Sequence, residues 1–157
     1  MRVRHTITAV AAAFSMAGIA TTPAQALPGG MSGAEKLRRL DIMLMVTGLR
    51  CRTTPDNFQP DYQRFTARHI AELNAAAGTL RREMAVRVGA GGADRALDRL
   101  SVTMANAYGQ GHPWLDCRQL KLVARNLADA EGGAVLEASA DQLLAEVPGA
   151  QWALARR

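Results

Sequence analysis

The stretch "LDIMLMVTGLRC", residues 40–51, decides the fold. Together with Leu37, the residues Leu40, Leu44, Gly48 and Cys51 recur at three- and four-residue steps, which stacks them on one face of a helix. The run "IMLMV" at 42–46 adds apolar side chains almost all the way round. A helix apolar on all sides needs partners on all sides, so the segment from about Ser32 to Cys51 reads as the central helix of a bundle. Methionine adapts to irregular surfaces. That leaves a second reading open, in which Met43 and Met45 form a contact face for a partner or for a second copy of the chain.

The rest of the sequence also favours helix. Alanine and leucine dominate, β-branched residues are sparse, and no strand-length alternation stands out. "TTPDN" (53–57) stops the first segment, because Pro55 disfavours helical backbone at Thr54. The second segment, from Gln59 or Pro60 to Val88, reads as one helix of about 45 Å if continuous. Its stripe is Tyr62, Phe65, His69, Leu73, Ala76 and Leu80, with Ile70, Ala77 and Met84 beside it. Gly78 is the expected place for a bend, and "GAGG" (89–92) closes the segment. A third segment, 93–108, directs Ala93, Leu97, Leu100, Met104 and Ala107 inward. A fourth starts at Pro113 and uses Leu120, Val123 or Ala124, and Leu127 before "EGG" (131–133). A fifth, about 134–147, uses Leu136, Ala140, Leu143 and Val147 before Pro148-Gly149. Beyond it, Trp152 either docks on the body or frays. The expected fold is all-α: a small bundle of about five helices with one inter-helix disulfide, in a single domain over residues 27–157.

The first 26 residues read as an export signal. Arg2 and Arg4 precede the apolar "ITAVAAAFSMAGIA", and Ala24-Gln25-Ala26 supplies the small-x-small cleavage pattern. The apolar run falls short of the roughly 20 residues that span a bilayer, and no later segment has the length and apolarity for a span. Cleavage after Ala26 removes two arginines and no acid, so the formal net charge falls from +5 to +3. That imbalance, without a long basic run, does not support nucleic-acid binding. Arginine far outnumbers lysine, as in GC-rich bacterial genomes, which makes the expected location periplasmic or secreted.

An exported chain with two cysteines most simply has one disulfide. Cys51 lies on the stripe of the first helix and Cys117 on that of the fourth, so both side chains point to the core. The competing reading is a Cys117 thiol activated in the first turn of a helix. Cys117 ends the unusual "GQGHPWLDC" (109–117), a glycine-flanked loop of the kind where ligands often bind. His112 and Asp116 are spaced to orient each other, and Trp114 lies between them. His112, Trp114 and Asp116 are therefore the candidate ligand loop. The structural alternative has the glycines turning the chain, Pro113 opening a helix, Trp114 covering it, and Asp116 favouring the positive end of its dipole.

Other chemistry finds little support. "GAGGAD" (89–94) follows a helical pattern rather than a strand, so it reads as an interhelical turn and not a dinucleotide fingerprint. His69 precedes Glu72 by three residues, the reverse of the order in helical di-iron sites. It reads as a partly buried histidine with a local hydrogen-bond partner. No metal and no cofactor is expected, and the nucleophile-elbow, zincin and Ser-x-x-Lys patterns are absent from the sequence.

The stretches "DIMLMVTGLRCRTTPDNFQPDY" (41–62) and "AYGQGHPWLDCRQL" (107–120) resemble a group of small exported proteins of sphingomonad-type alphaproteobacteria. The similarity covers most of the chain after the signal and includes both cysteines. Some members carry the label S-adenosyl-L-homocysteine hydrolase, so the resemblance implies export, a helical fold and, by label, a hydrolase. The long NAD-binding Rossmann domain of such hydrolases has no counterpart in this sequence, and no catalytic residue carries over. The expected function is contact with a protein or small-molecule partner without catalysis. The alternative is a small enzyme or ligand-binding protein using the 109–117 loop.

Overall fold

Ser32 accepts a hydrogen bond from the Glu35 N–H at 3.2 Å and starts the first helix, α1 (Gly33–Cys51). A computed structural model describes residues 31–144, and their secondary structure is entirely helical. After α1 come α2 (Gln59–Arg68), α3 (Ile70–Val88), a short 3-10 turn (Ala90–Gly92), α4 (Ala93–Ala107), α5 (Cys117–Asp129) and α6 (Gly133–Leu144). The export signal read in residues 1–26 and the tail carrying Trp152 lie outside the described residues. Among the described residues no helix is long and apolar enough to cross a membrane.

Helix α1 is the hub, packing against each of the other five. Leu37, Leu40, Ile42, Met43, Leu44, Thr47, Gly48 and Cys51 are all buried on it. The main core adds Phe58 and Phe65, Leu120, Ala124 and Leu127 of α5, and Leu136, Ala140 and Leu144 of α6. The Phe58 ring lies against the backbone of α1 at Gly48, where a Cβ would meet it at 3.4 Å. Met43 is fully buried whereas Met45 is exposed. Residues two apart on a helix point in nearly opposite directions, so the alternative reading of a joint Met43/Met45 contact face gives way to the central-helix reading.

Among the described residues six α-helices stand where about five were expected, because the second segment is two. The break falls at His69 (φ −107°, ψ 23°) and not at Gly78, which lies within α3. Its cause is tertiary. The His69 ring is buried against Phe65, with centroids 5.3 Å apart, and its Nε2 donates to the Leu127 carbonyl of α5 at 2.8 Å. The partner is thus distant in sequence, contrary to the local one expected. The chain turns there without losing its ladder, since His69 N–H bonds Phe65 O and Leu73 N–H bonds His69 O, both at 3.0 Å. Beyond the turn the stripe shifts, which leaves Ile70 exposed.

The far halves of α3 and α4 form a separate small cluster of Met84, Ala93 and Ala96, flanked by Ala85, Leu97 and Leu100. Nearer α1, a polar bridge ties three helices. Tyr62 donates its hydroxyl to Asp41 (2.9 Å), and Arg38 reaches both Asp41 and Ser101 of α4 at 3.4 Å. Burial raises the Asp41 carboxyl above its usual range, against the opposing pull of the Tyr62 hydrogen bond and the Arg38 charge. Burial and the Asp41 charge push the Tyr62 phenol well up.

Cys51 and Cys117 form a disulfide, with Cα atoms 5.7 Å apart, tying the last residue of α1 to the first of α5. The bridge spans 66 residues, and closing a loop of that size contributes about 4 kcal/mol through the unfolded chain. Replacing both cysteines with alanine is therefore expected to lower the unfolding free energy by up to about 4 kcal/mol while keeping the helical circular-dichroism signal. Urea titration measures it, and an unchanged midpoint would show that the bridge contributes nothing.

Candidate functional site

The chain leaves α4 at Ala107 and reverses through Gly109 to Gly111, with Gly111 N–H bonded to Tyr108 O at 2.9 Å. Gly111 sits at φ +106°, a conformation that side-chain-bearing residues rarely adopt. His112 follows and is buried. Its Nε2 lies 3.0 Å from the Leu143 carbonyl of α6. A carbonyl only accepts, so Nε2 carries the proton. Nδ1 then accepts from the N–H groups of Trp114 (3.4 Å) and Leu115 (3.3 Å). The imidazole is thereby fixed as one neutral tautomer, donating on one side and accepting on the other. Trp114 packs edge-on against it at 4.5 Å and is partly exposed, while Tyr108 stacks at 6.0 Å.

These bonds also delay the next helix. The expected start at Pro113 is not observed, because the backbone N–H groups of 114 and 115 turn to His112 instead. Asp116 becomes the cap of α5: its side chain accepts from Gln119 N–H (2.8 Å), and the Gln119 side chain accepts from Asp116 N–H (2.9 Å). This reciprocal pair satisfies two donors that a bare helix start would leave open. The expected mutual orientation of His112 and Asp116 does not form, since each is committed to backbone. The Cys117 thiol reading is replaced by the disulfide, in which no free thiol remains among the described residues.

The loop lines an open cleft of about 360 Å³ between itself and the end of α1. Gln110 to His112, Leu115 and Asp116 face it from the loop, Leu120 from α5, and Thr47, Arg50 and Thr54 from α1 and just beyond; the two cysteines also line it. Trp114, expected with them, lies outside this lining. Among the lining residues that the sequence pattern does not single out are Arg50 and Thr54. They flank Cys51, so pairing Cys51 with Cys117 brings them close to the 109–117 loop.

Most polar groups around the cleft are occupied by the scaffold. Thr47 donates to Met43 O (2.6 Å), Thr54 to Cys51 O (2.8 Å), and Arg50 Nη1 to Gly109 O (3.0 Å). His69 is on another face of the core, bonded to α5. Among the described residues no three His, Cys, Asp or Glu side chains converge to hold a metal ion. No protein-family model, curated protein or solved structure matches this chain.

Burial lowers the pKa of His112 below its usual 6.5, outweighing the opposing effect of its bond to Leu143. The geometry gives the same sign, because a proton on Nδ1 would face two N–H donors. The folded state therefore holds this imidazole neutral more strongly than the unfolded chain does. Its contribution to stability is fully present above about pH 6.5 and is lost as pH falls through the lowered folded value. Comparing the melting temperature of His112→Gln with that of the parent from pH 7.5 to 4.5 isolates the term from Asp41 and other acids. The gap between the two is expected to be widest at the alkaline end and to shrink as pH falls. A gap constant with pH would contradict this account.

Proposed function

We propose that this chain is an exported, non-catalytic helical protein that acts by binding a small ligand in the cleft between the end of α1 and the 109–117 loop. The observation that carries the reading is the way the cleft is built. Its walls are tied together by the disulfide, the Arg50–Gly109 bond, the His112–Leu143 bond and the Asp116–Gln119 cap. A site whose walls are fixed in advance loses little freedom on binding. The groups that catalysis would need are spent on that fixation: His112 has both nitrogens bonded to backbone, and the cysteines are joined. A general base must be within reach of a substrate proton, and this imidazole is turned away from that task.

The export signal read at residues 1–26 and the disulfide support a periplasmic or secreted location, where such bonds persist. The hydrolase label carried by the sequences that this chain resembles suggests a second reading, in which the same cleft turns over a substrate. The two are separated on chain purified from the periplasm of a Gram-negative host. Intact mass is expected to show loss of residues 1–26 and one disulfide. A thermal-shift screen of small metabolites is expected to give at least one stabilising ligand whose effect shrinks when the disulfide is reduced. S-adenosyl-L-homocysteine is expected to be recovered unchanged. Its hydrolysis would overturn the non-catalytic reading, and full-length chain with free thiols in the cytoplasm would overturn export.

A further inference from the structure

Arg50 and Asp116 face the cleft from different elements, the end of α1 and the start of α5. They are opposite in charge, yet no ion pair within 4.0 Å joins them, and neither pairs with any other charged side chain among the described residues. Each is instead anchored by a bond to backbone. Arg50 uses Nη1 on Gly109 O, and Asp116 uses Oδ1 on Gln119 N–H. Among the described residues this leaves Nε and Nη2 of Arg50 and Oδ2 of Asp116 without a hydrogen-bond partner. The cleft thus presents one cation and one anion, held apart and already positioned.

We infer that the ligand is a small zwitterion of the α-amino-acid type with an apolar side chain, its carboxylate on Arg50 and its ammonium on Asp116. This rests on the ligand-binding reading of the cleft given above. A simple anion would gain from Arg50 but meet repulsion from Asp116, and a simple cation the reverse; only a dipolar molecule satisfies both. A guanidinium fork suits a carboxylate. Leu115, Leu120 and the two disulfide-bonded cysteines offer the apolar part of the wall. At about 360 Å³ the cleft lies within the roughly 300–1,000 Å³ typical of ligand sites and has room for a single amino acid.

The test is calorimetric titration of the oxidised, signal-free chain with L-leucine, with isocaproate (the same skeleton without the ammonium) and with isoamylamine (without the carboxylate). L-leucine is expected to bind tightest. Asp116→Asn keeps a capping oxygen, since asparagine caps helices as well as aspartate does. It is expected to weaken L-leucine by about tenfold or more while leaving isocaproate no weaker. Arg50→Gln is expected to weaken both L-leucine and isocaproate. Isocaproate binding as tightly as L-leucine, or L-leucine unaffected by Asp116→Asn, would overturn the zwitterion. Thr54→Trp, which fills the cleft from an exposed position, separates this failure from that of the cleft itself. If another small molecule binds and is lost in Thr54→Trp, the cleft stands and the zwitterion falls. If no small molecule binds, or Thr54→Trp changes nothing, both fall.

Discussion

Between Leu40 and Gly48, α1 is apolar around most of its circumference, and it can be kept from water only by surrounding it with the rest of the chain. Leu40, Met43 and Leu44 are fully buried, and Ile42, on another side, nearly so. Each such side chain contributes about 1.5–3 kcal/mol when removed from water. No single neighbour covers them all. Phe58 closes the side at Gly48, α3 and α4 lie along others, and α5 and α6 supply Leu120, Leu127, Leu136 and Leu144. The positions of the five other helices follow from that demand.

Several polar groups in this bundle work at helix ends. The last carbonyls of a helix have no partner within it. Here the His69 ring supplies one to Leu127 near the end of α5, and the His112 ring likewise bonds the Leu143 carbonyl of α6. For His112, burial and the two N–H groups facing its Nδ1 hold the imidazole neutral. The same economy explains the cleft. Its loop is tied to the scaffold through Gly111, His112 and Asp116, and the proposed ligand is left the outward half of Arg50 and Asp116.

Helix content, the role of α1 and the disulfide were all legible in the sequence, because periodicity and the count of cysteines report on them directly. Ser32 and Gly33 mark the start of α1 as the pattern indicates. The break at His69 was not legible, since the residues 59–88 have unbroken helical periodicity and the cause, the Leu127 carbonyl, lies 58 residues away. The start of α5 was misplaced for a related reason. Pro113 suits a first helical turn, but the N–H groups that would begin that turn are taken by the His112 ring. In the cleft, His112 and Asp116 stand out by their unusual context, whereas nothing in the sequence pattern singles out Arg50. Its meaning arises only once the Cys51–Cys117 bond sets it opposite the loop.

Native-state hydrogen exchange tests most directly the claim that α1 holds the fold together. Amides from Leu40 to Gly48 are predicted to exchange only through global unfolding, with a free energy equal to that from denaturant titration. Amides in residues 81–97, which rest on the small cluster of Met84, Ala93 and Ala96, are predicted to exchange earlier through local opening. Exchange of the α1 amides at or before the rate of residues 81–97 would contradict the central role of α1.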